Sequence, residues 1–327
     1  MNNTSGSIAM PRAVLKFFLF LFFCAMFSMN CDAADKKEKS DKKTEKSDKK
    51  EKETKKDTKI KAGKPQYGEI VFPRKGSIDF DEGTYEIWFK PTYTTSESMF
   101  GADTKRSTIV FMSAEVDEKF KRKNSGKDKS ASEQVVFSNL KLTMGHHAAG
   151  PGQLNFWSNL FDARKNKEKG SQVQAAHELR NPDFQKDRWY YLAITWKHSG
   201  EEYECGIYID DTYRKFKNVT ACSDDKRVVD EMFLVIGSAE DCNMAVDSFR
   251  VSNRVRTDEE ITKSFESGLS QDDATLIFHN GESFAKMKKV SERTDPLKCS
   301  PKGEILGASK MVDGKFGKAI LLNVLAE

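Results

Sequence analysis

The sequence predicts an all-β domain of two facing layers with one short helix near residues 257–266, and three observations carry that prediction. Apolar and polar residues alternate with period two in stretch after stretch beyond residue 65, and Gly, Pro and polar turns separate the stretches. Val246, Phe249 and Val251 give a strand pattern that Asn253 breaks, and Thr257-Asp258-Glu259-Glu260 then has the spacing of a capping box. A strand should therefore run into a short helix. Residues 65–327 are enough to bury one substantial core, and no later boundary is as sharp as the one at Pro65.

Residues 1–34 read as a signal peptide or membrane anchor. Arg12 and Lys16 supply a positive start, Phe17–Met29 is almost continuously apolar yet short for a span, and Cys31, Ala33 and Ala34 offer small residues for cleavage. Cys31 also opens a lipidation reading, against which Asn30 stands where a lipobox has Gly or Ala. Residues 35–64 read as a disordered linker, with 14 Lys, 8 acidic residues, no aromatic residue, and the run Lys39–Lys43 repeated at Lys46–Lys50. Such a segment buries too little apolar surface to offset its ordering entropy. Its excess positive charge is larger than the net +4 of the whole chain, so the remainder is slightly acidic. The tail suits a solubilising spacer, with contact to an anionic surface as a second use. No basic stripe interleaved with aromatic residues argues for nucleic acid.

In Thr84–Phe89, between Gly83 and Pro91, Tyr85, Ile87 and Phe89 fall on one face and Glu86 and Trp88 on the other. Thr108–Met112, Gln134–Phe137 and Leu154–Trp157 are further strand candidates, and the polar stretches Glu118–Lys129 and Asp162–Ser171 read as surface loops. Trp189–Trp196 is mostly apolar on both faces, which predicts a central strand. An exposed aromatic row there would suit sugar stacking, but core packing is the simpler role. Gly206–Asp211 reads as a strand entering a hairpin turn, Met232–Gly237 as a strand, and Gly268 as the C-cap of the helix.

Three of these stretches occur together in a recognisable order: WYYLAITW at Trp189–Trp196, GIYIDD at Gly206–Asp211, and Val246-Asp247-Ser248-Phe249-Arg250-Val251 through Glu259-Glu260-Ile261. In this the chain resembles the laminin G-like, or concanavalin A-like, jelly-roll domains. Gly76–Phe80 followed by GTYEIWFKP at Gly83–Pro91 is similar to that family's early strands. Asp211 stands where the family usually has Gly, and Asp tolerates the left-handed conformation such a turn needs. Ala274–His279 and Val312–Ile320 resemble the family's opening strands but come last here. Closure of the sandwich from the C-terminal end is favoured over a second copy, which would leave edges unpaired. The resemblance implies an antiparallel two-sheet jelly-roll sandwich over residues 65–327.

Glycoside hydrolases of this fold place two carboxylates on one strand, one as nucleophile and one as acid. Glu115-Val116-Asp117-Glu118 comes nearest and fails at Phe120, with Lys119 and Lys121 beside it. Adjacent His146 and His147 would point to opposite faces of a strand, and a Gly-rich loop accounts for them. No Gly-x-Ser-x-Gly, Walker or His-Glu-x-x-His motif occurs. Many domains of this resemblance hold one Ca²⁺ at the rim, so Asp79, Asp81 and Asp247, with Glu82 nearby, are the candidate ligands, against simpler roles in a turn and at a strand start. Beyond Cys24 and Cys31 lie Cys205, Cys222, Cys242 and Cys299. In an exported protein these permit three pairings, of which Cys205–Cys222 and Cys242–Cys299 are expected. Zinc lacks a Cys-x-x-Cys spacing, and His279 is the one nearby His. The functional expectation is an exported, non-catalytic module that binds a glycan, or an extracellular or cell-envelope protein, through loops of the sandwich. The alternatives are a glycoside hydrolase-like enzyme and a structural envelope protein.

Overall fold

Most of the period-two stretches are β-strands. A computed structural model describes residues 67–94, 109–116, 136–147, 150–162, 167–174, 184–220, 232–238, 244–293 and 295–322, all within the unit Ile60–Glu327. The leader and linker readings, Cys222, Cys242 and residues 117–129 lie outside the described residues. In chain order the elements are β1 (Gly68–Pro73), β2 (Glu82–Pro91), β3 (Ile109–Val116), β4 (Val136–His147), β5 (Gly150–Asp162), β6 (Lys167–Gln174), β7 (Tyr190–Ser199), β8 (Glu202–Ile209) and β9 (Thr212–Thr220). Then come β10 (Met232–Gly237), β11 (Met244–Ser252), α1 (Asp258–Ser267), β12 (Thr275–Asn280), α2 (Gly281–Phe284), β13 (Lys288–Val290), β14 (Glu304–Gly307), β15 (Lys310–Asp313) and β16 (Lys318–Leu321).

The strands form a two-sheet β-sandwich. The first sheet runs β13-β14-β1-β10-β3-β4-β5-β6, and the second runs β15-β16-β11-β2-β7-β8-β9, with β12 also paired to β11. All described pairs are antiparallel except β13 with β14. Tyr85, Ile87 and Phe89 of β2 and Tyr190, Leu192, Ile194 and Trp196 of β7 share one interlayer core with Phe111, Leu142, Phe156 and Leu234 of the first sheet. Burying side chains of this size from both inner faces is what holds the layers together. The last strands do close the sandwich: β14 pairs with β1, β12 and β16 both pair with β11, and the Gly68 amide donates to the Leu322 carbonyl at 2.7 Å.

Two expectations are corrected. Part of the polar stretch Asp162–Ser171, read as a loop, belongs to β6, which pairs with β5 from Asp162↔Lys167 to Asn155↔Gln174. An end strand can form on backbone hydrogen bonds alone and needs no apolar alternation. In the β8–β9 turn it is Asp210, not Asp211, that takes the left-handed conformation, at φ 51°. There its carboxylate accepts from the Tyr191 amide at 3.0 Å, and Arg188 lies 3.0 Å away.

Gly281 opens α2 directly against β16, where an added Cβ would overlap the Lys318 carbonyl. Gly281→Ala is therefore expected to destabilise the fold by about 1–3 kcal/mol, read as a lower midpoint in urea unfolding.

Candidate functional site

The polar residues of the Val246–Ile261 stretch fasten the helix to the sheet. The Thr257 hydroxyl accepts from the Glu260 amide at 3.3 Å, and the Glu260 carboxylate accepts from the Thr257 amide at 2.9 Å. Arg254 donates to the same carboxylate and holds its pKa down to about 2. Ile261 of α1 packs over Trp88, Tyr191 and Ala193 on the outer face of the second sheet, and Phe265 stacks on Trp88 at 5.8 Å. Under the helix, Arg250 on β11 forms a two-pronged pair with Glu86 on β2, through Nε to Oε2 at 2.6 Å and Nη2 to Oε1 at 2.7 Å. Glu86 is 0% exposed and Arg250 is 3% exposed, so both charges are fully desolvated and each needs the other. The Tyr191 hydroxyl donates to Glu86 at 2.7 Å, and burial followed by the Glu86 charge pushes its pKa well up. Arg256 joins from the other side, donating to both oxygens of Asp272 at 2.7 Å and to Ser252 at 2.9 Å.

The predicted metal ligands do not come together. Asp79 and Asp81 share the turn before β2, where the Asp81 amide donates to the Asp79 carboxylate at 2.9 Å. Asp247 lies in β11, with neighbours opposite Trp88 and Phe89 at the far end of β2, is 2% exposed, and accepts from the Phe316 amide at 3.0 Å. Its carboxylate is spent on the β15–β16 turn, pressed against Gly314. Among the described residues, no three His, Cys, Asp or Glu side chains are grouped to hold a metal ion. Cys205 is a free thiol facing the interlayer core, and burial pushes its pKa well up. Cys299 packs with Val71, Phe233 and Val235 on the outer face of the first sheet.

The buried carboxylates of the described residues are all engaged. Glu69 accepts from Arg293 at 2.6 and 2.9 Å, Glu304 accepts from Lys288 at 3.0 Å, and Glu86 and Asp247 hold the partners named above.

The outer face of the first sheet is different in kind. Leu140, Leu142, Leu154, Phe156 and Ala114 fill the interlayer core, and the residues that alternate with them are polar: Ser113, Lys141, Thr143 and Asn155. The strand register aligns them, Val235↔Ser113↔Lys141 across β10, β3 and β4 and Thr143↔Asn155 across β4 and β5. The first row continues along the backbone to positions Trp157 and Gln172. Ser113 is 3% exposed, and its hydroxyl has no hydrogen-bond partner among the described residues. Sequence reading missed this row because it exists only once β10, β3, β4 and β5 are placed in register.

No protein-family model matches the chain, and no curated protein matches it in sequence. Among solved structures it is similar to the enzymatically active domain of tailspike protein 2 of bacteriophage CBA120, at 10% identity and TM-score 0.35, over 65% of this chain and only 28% of that one. It is similar to the CBM40 of the Ruminococcus gnavus IT-sialidase, at 9% identity and TM-score 0.30, over 58% of this chain and 85% of that one. A third is the exoplasmic/lumenal domain of VIP36 in its Ca²⁺/Man3GlcNAc-bound form, at 13% identity and TM-score 0.26, over 57% of this chain and 78% of that one.

Proposed function

We propose that the protein is an exported, non-catalytic carbohydrate-binding module of laminin G-like type, whose ligand sits on the outer face of the first sheet. The observation that supports this most is the alignment of Ser113, Lys141, Thr143 and Asn155 on β3, β4 and β5, where the recessed Ser113 hydroxyl has no partner among the described residues. A recessed hydroxyl is costly unless hydrogen-bonded, and a sugar hydroxyl can supply the partner. Engagement of the buried carboxylates by partners favours binding over hydrolysis. Export is supported by the positive start and apolar run of residues 1–34, and the lysine-rich stretch that follows suits a tether at an anionic surface.

A glycan array probed with the purified full-length chain, with Ca²⁺ and with a chelator, tests this. Saturable binding to one glycan class is expected, and a Lys141→Ala variant should lose about tenfold in affinity, the worth of one polar contact. Retention of no glycan, equal binding by the variant, or released hydrolysis products would overturn the reading.

A further inference from the structure

A cavity of about 590 Å³ lies where β12 faces the corner that leads from α2 through β13 toward β14. Its walls are apolar at Leu276, Phe278, Met287 and Pro301, with Phe278 and Leu276 half-buried. Its polar lining is one-sided in charge: Lys286, Lys288 and Lys302 contribute to it, and no Asp or Glu does. Lys288 is committed to Glu304 at 3.0 Å, whereas Lys286 and Lys302 are exposed and pair with no carboxylate among the described residues. His279 also lines the cavity, between Phe72, Phe249 and Phe284 at ring distances of 5.3 to 5.9 Å. The Ser283 hydroxyl donates to the Asn280 carbonyl at 2.8 Å, so the ring's Nδ1, at 3.0 Å, is the donor to Ser283. Burial holds the imidazole pKa at about 4, which leaves the ring neutral near pH 7 and the lysines as the source of positive charge.

We propose that this cavity binds a monosaccharide-sized ring carrying an anionic substituent, a carboxylate, sulfate or phosphate, with the ring against the apolar wall and the anion between Lys286 and Lys302. The volume falls within the roughly 300–1,000 Å³ of small-ligand pockets, and an apolar wall with few charged groups is how such pockets orient a ring. Lysine serves the anion as a mobile point charge, so any of the three anions is accepted. The site is separate from the polar row of the first sheet and does not depend on it.

Titration calorimetry of the full-length chain with glucuronate, glucose 6-sulfate and glucose 6-phosphate, beside glucose and inorganic phosphate, tests it. At least one anionic sugar should bind, glucose should not, and a Lys286→Gln/Lys302→Gln variant should bind about tenfold or more weakly with an unchanged circular dichroism spectrum. A shift of the His279 ring protons in the NMR spectrum on titration should accompany binding, and Lys141→Ala should leave it intact. Equal binding of glucose, full binding by the lysine variant, or binding of none of the three anionic sugars would overturn the proposal. Phosphate binding as tightly as glucose 6-phosphate would overturn the role of the ring.

Discussion

Glu86→Leu is expected to cost about 3–5 kcal/mol of folding stability, the usual penalty for stripping one partner from a buried ion pair. The pair joins β2 to β11 and lies beneath α1, so among the described residues the variant leaves Arg250 the Ser264 hydroxyl and the Ser270 carbonyl, and it takes the acceptor from Tyr191. Arg256 loses a carboxylate 3.4 Å away but keeps Asp272. A Glu86→Leu/Arg250→Met double variant should recover most of that loss, because two apolar groups of similar volume leave no orphaned charge. Urea unfolding of the wild type, both single variants and the double variant closes the cycle. Single variants within about 0.5 kcal/mol of the wild type would show that surface-like solvation, not the pair, governs this seam.

Stability should also fall as pH drops from about 6.5 to 4, by up to about 3 kcal/mol, through His279. Burial lowers its folded pKa to about 4, while the unfolded imidazole keeps its ordinary value near 6.5. Between those values the unfolded chain holds a proton that the folded chain does not, so the contribution is whole above the window and is lost on acidification. The groups around the ring are Ser283 and three Phe rings, with Lys286, Lys288 and Lys302 in the same cavity, and none is a carboxylate that would rescue the imidazolium. Glu260, with its pKa lowered to about 2, and Asp272, lowered by Arg256, withdraw their contributions only below about pH 4.5. His279→Phe should flatten the profile between pH 6.5 and 4, and an unchanged slope would assign the effect elsewhere.

The local part of this fold is legible in the sequence. Alternation at Tyr85–Phe89 names the core-facing residues correctly, the two apolar faces of Trp189–Trp196 mark a strand covered on both sides, and the four residues from Thr257 give the helix start. Such signals depend on neighbours a few positions apart. What the sequence hides is pairing at long range. Nothing local marks Glu86 as the partner of Arg250, 164 positions on, or Asp247 as the anchor of the β15–β16 turn. Read alone, a buried Asp on a strand suggests a ligand for an ion; in place, it is a hydrogen-bond acceptor for backbone. The polar residues of the first sheet fall into line only once β3, β4 and β5 are in register, and the lysine-lined cavity forms only once the chain from Gln271 to Gly303 folds back on itself, so local alternation announces neither.

The way the last strands complete both layers also sets a timetable for biogenesis. Until residues 304–322 leave the ribosome, β1 has no neighbour on its β14 side and β11 lacks β16. A nascent chain short of these residues therefore has open edges at both layers, and both sheets are complete only once the last strands are free to pair.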